Sequence, residues 1–463
     1  MEQERKFTAF EEVQAHEVYG LKPELVRAIV EALDEGRDDD VRTLAVPLHY
    51  SDAADLIERL TPEQRRKLVD LLHPDFEPEI LTELDEAVRD EVIEHLGFAN
   101  FATMIGELDS DDAVYIVDQL EPDEQARVLA ALSAEDRAIV EQGLAFPEYS
   151  AGRLMQRELV AVPSYWTIGE TIDHLREGRA VPEEFYDVYV VDPRHRPVGH
   201  VRLAKLLRSK RPVRLRDIVE SDVQPIPVTT DQEEVAFLFR QHNLVSAPVV
   251  DAAGRLIGTI TVDDVVDVID EEAADDMLRL AGVTETDLYR AVIDTTRARS
   301  RWLLVNIGTA FFVSAVIGLF QATLQQVVAL AVLMPIVASM GGNAGTQTLA
   351  VAVRALAMKE LTPTNALRVI GKEALVGLSN GLIFAVPSGL AAWLWFNDPI
   401  IGLVIGAAMI INLFVAGLAG TLVPLTLERM GVDPAVASSV FLTTLTDSIG
   451  FFAFLGLATL FLL

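Results

Sequence analysis

The sequence predicts a multidomain chain: an all-α superhelical N-terminal domain, a repeated α/β pair, a connecting helix, and an α-helical transmembrane domain with five spans. Three observations carry that prediction. Charge is segregated along the 463 residues, two internal repeats of different period follow one another, and five long apolar stretches fill the C-terminal third.

The formal net charge is −32, although half of the residues are hydrophobic. Residues 302–463 hold only five Lys or Arg and six Asp or Glu, so the excess acid lies almost wholly before them. An acidic lobe repels phosphate backbones, which excludes nucleic acid as a partner. Carboxylate-rich surfaces suit hard divalent cations, and the plain alternative is a solvated acidic face. Cys is absent, which excludes disulfides, thiolate metal sites and redox chemistry. No apolar signal segment opens the chain, so the acidic lobe is expected to start and stay in the cytoplasm. The eight His are scattered, and no nucleophile–His–acid set, phosphate loop or HExxH spacing occurs. The chain is therefore not expected to be an enzyme.

Residues 1–20 are polar and predict a short lead helix. From about Pro23 to Phe146, short amphipathic runs alternate with Pro and acidic punctuation. Residues 52–72 match residues 112–132, with Ala53 on Ala113, Leu60 on Leu120 and Pro62 on Pro122. Pro followed by acids marks a helix start. The repeat predicts a superhelix of short helices over 1–148.

A second repeat begins near Ser150. Residues 160–175 align with 224–239, and 188–207 align with the stretch from Ala247, the spacing shortening by a small insertion near 178–185. Each copy reads strand, helix, strand, turn, strand, helix. This pattern resembles a tandem pair of CBS domains, here 149–209 and 210–274. That resemblance implies an adenine nucleotide such as ATP as a ligand, or regulation of a neighbouring domain. The run at 263–276 places Asp264, Asp267, Glu271 and Asp275 at helical spacing. Like charges so placed repel by a few tenths of a kcal/mol per pair, which a bound cation relieves. A solvated acidic helix is the competing reading. A connecting helix is expected over 275–300.

Five spans follow within 301–463, near 302–320, 328–353, 371–396, 400–427 and 435–463, each long enough at roughly 20 residues to cross a bilayer. Arg and Lys flank the loops on one side only, which puts the acidic lobe in the cytoplasm and the C-terminus outside. The second span is the odd one. Pro335, Gly341, Gly342, Asn343 and Gly345 interrupt it, and polar irregular backbone at membrane depth implies a lined path. Close packing through Gly341 and Gly345 is the alternative. The last span carries Asp447 beside Thr444. A membrane-depth carboxylate costs on the order of 2.5–3.5 kcal/mol, so it marks an ion path or a buried hydrogen bond. Asp433 before Pro434 reads as a helix N-cap. Glu373 beside Lys372 reads as an ion pair or as part of a cytoplasmic pore entrance.

The order of these modules, with SMGGNAGTQ (339–347), TTLTDSIG (443–450) and GVDPA (431–435), resembles the MgtE family of magnesium channels over nearly the whole chain. The resemblance implies a homodimer in the plasma membrane whose second and fifth spans line one Mg²⁺ pore. Asp447 and Asn343 would hold the ion, with Pro335, Gly341, Gly342, Gly345 and Thr444 lining the path. It also implies that cytoplasmic Mg²⁺ closes the pore by binding Asp231, Glu233, Asp264, Asp267, Glu272, Asp275, Asp276, Asp433 and, in the N-terminal domain, Asp111 and Asp112. The connecting helix would act as a plug. Asn243 stands where some members carry an acid, which removes one expected ligand. Two other readings stand beside this one: a secondary transporter or exporter of Mg²⁺ or Co²⁺, and a nucleotide-sensing membrane regulator without ion flux.

Overall fold

The computed structural model describes residues 20–177, 181–182, 185–221, 224–283 and 292–463. Nearly all of the expected lead helix, most of the 178–185 insertion and the middle of the connecting segment lie outside the described residues. The chain divides into two compact units, one ending at Ile269 and the other beginning at Asp270.

In the first unit, short helices from Pro23–Glu35 to Ala134–Leu144 wind around a single core. The predicted repeat is a repeated helix pair. Tyr50–Arg59 and Pro62–Leu72 correspond to Ser110–Asp118 and Pro122–Ala131. Pro62 and Pro122 occupy the first turn, where a missing N–H breaks no bond. Thr61 and Gln64 close a capping box ahead of one of these helices. The apolar stripe turns inward, and Ile57, Leu68, Ile116 and Val117 are fully buried. Arg65 is buried with them because its Nε donates to the Ile57 carbonyl at 3.1 Å and its guanidinium pairs with Glu91.

The second repeat forms two three-stranded sheets. Strands β1 (Val160–Pro163), β2 (Asp187–Val191) and β3 (Pro197–Arg202) pair in the order β1-β2-β3. Strands β4 (Ile226–Pro227), β5 (Ser246–Val250) and β6 (Leu256–Thr261) repeat that order. In each sheet the first pair is parallel and the second antiparallel, with the same irregularity after Val190 and after Val249. The turns match as well. Asp192 Oδ1 accepts from the N–H groups of Arg194 and Arg196, and Asp251 Oδ1 from those of Ala253 and Arg255. The left-handed position of the turn falls on Gly254 in one copy and on His195 in the other. The sheets meet through Tyr189, whose hydroxyl lies 2.9 Å from Ser246 Oγ and 2.6 Å from Thr259 Oγ1.

Among its described residues the second unit holds five helices long and apolar enough to cross a membrane: Thr295–Gly318, Ala329–Ala357, Ala366–Phe396, Pro399–Arg429 and Ser438–Leu462. Several outrun their apolar windows, because a helix ends where its backbone bonds can be capped rather than where hydropathy falls. The irregular backbone expected in the second span is not found. Ala329–Ala357 stays helical through Pro335 and through Gly341–Gly345. Helical bonds within the segment are the arrangement that leaves no lipid-exposed backbone group unpaired. Its glycines serve packing instead. A Cβ on Gly345 would meet the Leu442 side chain at 3.0 Å, whereas Gly342 faces open space.

The third and fourth spans pack still more closely. A Cβ on Gly402 would lie 2.5 Å from the Gly389 carbonyl oxygen, and one on Gly377 would lie 2.4 Å from that of Leu413. Both clashes are with backbone, which cannot swing aside. Gly402→Val should therefore destabilise the helix bundle by about 1–3 kcal/mol, the usual cost of overpacking. Unfolding of the purified protein in graded dodecyl sulfate measures this, and an unshifted midpoint would show that the two helices re-space freely.

Candidate cation sites

The first candidate site is a cavity of about 770 Å³ in the first unit. Its acids come from several segments, with Glu77, Glu79, Glu107 and Asp109 contributed by loops. The helix Ser110–Asp118 brings Asp111 and Asp112, and the start of the helix Val262–Leu280 brings Asp263 and Asp264. Asp187 at the edge of β2 and Glu158 before β1 complete the wall. Local bonds hold several of them rigid. Asp111 Oδ1 accepts from the Asp112 N–H at 3.0 Å. Asp264 Oδ2 accepts from the Thr261 hydroxyl at 2.6 Å, capping its own helix. Ser110 Oγ donates to Glu158 at 2.8 Å.

Crowding perturbs these groups strongly. Burial, then the charges of Asp264 and Asp112, push the Asp111 carboxyl well above the usual carboxylate range. Burial and the Asp264 charge push Asp112 up to about 7. Burial pushes Asp264 up to about 6, against the pull of its Thr261 hydrogen bond. Asp267 does not line the cavity, but its charge, after burial, helps raise Glu83. Glu83 is thus a participant that the sequence did not single out. Asp231 and Glu233 are placed elsewhere. Asp231 is the N-cap of the helix Gln232–His242 and accepts from the Glu233 N–H at 2.9 Å.

The second unit holds the rest of the expected sensor residues. Glu272, Asp275 and Asp276 lie on the last turns of the helix Val262–Leu280. Arg279 sits among them. Its Nη2 pairs with Asp275 Oδ2 at 2.9 Å and its Nη1 with Asp433 Oδ2 at 2.7 Å. Asp433 also caps the last helix by accepting from the Ala435 N–H at 2.8 Å. Burial, followed by the charges of Asp433 and Glu272, raises the Asp276 carboxyl. Arg279 therefore already neutralises part of this cluster, a role legible only as an i,i+4 pairing with Asp275.

Asp447 is half-buried and lines a cavity of about 550 Å³ with Thr443, Thr444 and Ser439 of its own helix. Asn306, Thr309 and Ser314 of the first span form the facing wall. Asn343 does not line this cavity. It is exposed on the second span, with its Nδ2 3.5 Å from Ser339 Oγ. Glu373 is paired with Lys372 at 3.3 Å. The sequence reading missed Asn412, a buried amide in the fourth span. It is fully buried, its Nδ2 donates to the Val337 carbonyl at 2.8 Å, and it sits against Gly341 and Gly450. Among the described residues no group of three or more Asp, Glu or His is gathered tightly enough to hold a bare metal ion.

The chain matches family models described as a divalent cation transporter over residues 334–457, an MgtE intracellular N domain over 48–149 and a CBS domain over 215–271. The magnesium transporter MgtE of Bacillus subtilis is 30% identical over 441 residues, which cover 95% of this chain and 98% of that protein. That of Thermus thermophilus is 33% identical over 448 residues, 96% of this chain and 99% of its own. Among solved structures, the cytosolic domain of the Mg²⁺ channel MgtE in complex with ATP is 32% identical with a TM-score of 0.50, covering 52% of this chain and 99% of that one.

The raised carboxyls imply a pH dependence. Each binds its proton more tightly in the folded than in the unfolded chain. The stability this contributes is fully present below the unfolded value near 3.9 and is lost as pH rises through about 6 to 7. With divalent cations chelated, the melting temperature should therefore fall by several degrees between about pH 4 and pH 7. Asp112→Asn should flatten the fall, and thermal unfolding followed by intrinsic fluorescence reads it. A slope identical to wild type would remove Asp112 from the crowded set.

Proposed function

This chain belongs to the MgtE family of magnesium transporters, which are not enzymes, and from that premise we propose that it is a Mg²⁺-selective channel closed by cytoplasmic Mg²⁺. The observation that carries the conduction path is Asp447, the one ionisable side chain of its helix, facing a cavity walled by hydroxyls and an amide. Mg²⁺ sheds water reluctantly and wants oxygen at about 2.0–2.1 Å. One carboxylate with nearby hydroxyls can hold it through its water shell, loosely enough for the ion to leave again.

In this reading two chains assemble as a homodimer in the plasma membrane, each contributing one Asp447. The soluble lobe faces the cytoplasm and the C-terminus faces outside. The domains divide near residues 148, 209, 274 and 300. Asn343 and the second span complete the path, with Pro335, Gly341, Gly342, Gly345 and Thr444 as its structural frame and Glu373 at the inner mouth. The sensor is the set of crowded carboxylates. Asp111, Asp112 and Asp264 repel when ionised, so a divalent cation stabilises whichever state brings them together. Asp231, Glu233, Asp267, Glu272, Asp275, Asp276 and Asp433 belong to the same proposal. The ATP complex of a related cytosolic domain supports ATP as a second ligand, at the CBS pair.

Mg²⁺ flux into proteoliposomes tests conduction. Asp447→Ala should lose at least about tenfold of the wild-type flux, about 1.4 kcal/mol or more of ion stabilisation, while remaining folded. Equal flux in both would return Asp447 to packing. In patch recordings, neutralising Asp264, Asp267, Asp275 and Asp276 together should leave the pore open at internal Mg²⁺ that closes wild type. Unchanged closure would sink the sensor while leaving the pore assignment intact.

A further inference from the structure

We propose that Asn412 is a positioning residue of the conduction path: it keys the second span to the fifth and so sets the heights of Asn343 and Asp447 relative to one another. This inference rests on the reading that places those two side chains at the ion.

Asn412 belongs to the fourth span, Pro399–Arg429, and is fully buried. Its Nδ2 donates to the Val337 carbonyl of the second span at 2.8 Å. Its Oδ1 is sealed as well and has no hydrogen-bond donor among the described residues. An unmet buried acceptor costs stability, and an apolar group of the same shape is nearly neutral or better in its place. Filling space therefore does not call for an amide at this point. What an amide adds is direction, as a single buried Asn does when it fixes the register of a coiled coil.

The slot around the amide shows which helices it keys. A Cβ on Gly341 would overlap Asn412 Nδ2 outright, and one on Gly450 would lie 2.8 Å from the same atom. One glycine belongs to the second span and the other to the fifth, so the amide is clasped between the two. Val337 stands one turn before Gly341, which puts the accepting carbonyl and the gap on one face of the second span. On the fifth span Gly450 is flanked by Ile449 and Phe451. A slide of one residue, about 1.5 Å, with the turn that accompanies it would bring a large side chain onto the amide. Asn343 is two residues beyond Gly341, and Asp447 is three before Gly450. Each proposed ion-holding side chain thus lies within one helical turn of a contact with the same amide, although the two sit on different helices.

Mg²⁺ currents test this, recorded in patches with no divalent cation on the cytoplasmic face and graded Mg²⁺ on the other. They give a half-saturating concentration and a maximal current, and unfolding in graded dodecyl sulfate is followed beside them. Asn412→Leu should raise half-saturation at least about tenfold, since small misplacements of a binding group act on that scale, while neither the maximal current nor the unfolding midpoint falls. Misplaced ligands hold the ion less tightly without slowing its departure. A residue that only packs would do the reverse, giving fewer folded channels, a lower maximal current and the same half-saturation. That pattern, or no change at all, would overturn the proposal. Thr421→Val removes a buried hydroxyl from the same span, one bonded at 3.3 Å within its own helix, and should leave half-saturation unchanged. An equal rise there would mean that any lost polarity in the fourth span suffices, and would also overturn it. Should Asn412→Leu fail to fold, Gly450→Ala crowds the same amide from the fifth span, and unchanged half-saturation there overturns it too. Asp447→Ala in the same patches separates the two failures. Current equal to wild type would remove the conduction reading and the proposal with it. Loss of that current, with wild-type half-saturation in Asn412→Leu, would remove the proposal alone.

Discussion

Like charges held together without a countercharge are the constraint on which the soluble part of this protein depends. Asp111, Asp112 and Asp264 share one buried place, and the cavity around them has no Lys or Arg in its described lining. Their rigidity makes the crowding unavoidable. Asp111 is tied to the next backbone N–H and Asp264 to the hydroxyl that caps its helix, so neither can turn away without breaking a bond. A protein can accept such an arrangement by keeping protons on, by opening, or by taking a cation from solution. Near neutral pH the first option is fading for Asp112 and Asp264. Under the proposed sensing, the choice between the other two couples ion concentration to conformation.

The membrane part obeys a different rule. With no water in the hydrocarbon, each span keeps its backbone bonds internal, and the second span does so even across Pro335 and its glycines. Polar function then has to come from side chains. Asp447 and the hydroxyls around it face a cavity, while Asn412 is buried between helices, its amide lodged against two glycines of neighbouring helices.

How much of this could be read from the sequence follows from the range of each interaction. The two repeats were legible because their signals are local: proline at first turns, an Asp-led turn in each sheet, alternating β-branched strands. Asp447 was legible because a single carboxylate in an apolar helix needs no partner to be conspicuous. Asp433 was legible as a cap for the same local reason. The grouping of acids was legible only from the family resemblance, not from spacing. Helical spacing tied Asp264 to Asp267 and Asp275, whereas folding sets Asp264 beside Asp111 and Asp112, more than a hundred residues earlier, and gives Asp275 to Arg279. Glu83 and Asn412 drew no notice, since their partners are distant in sequence. The second span carries no break, and of the two readings open for its glycines the close packing of Gly341 and Gly345 is the one found.

The two CBS copies place different charges at the same point of a duplicated scaffold. Where the second copy opens its last helix with Thr261 and Asp264, the first has Arg202 and Lys205 at the equivalent positions. In the first copy the chain supplies both signs: Lys205 lies 3.0 Å from Glu220 and holds that carboxyl below the usual range. In the second copy it supplies only acids, and Asp264 moves the opposite way. The backbone geometry is the same in both, down to the turn and the sheet irregularity, so fold alone does not set the difference. It lies in whether the countercharge is covalently part of the chain. A helix start neutralised from within has its countercharge already, whereas the one left acidic beside Asp111 and Asp112 has no Lys or Arg in the described lining around it.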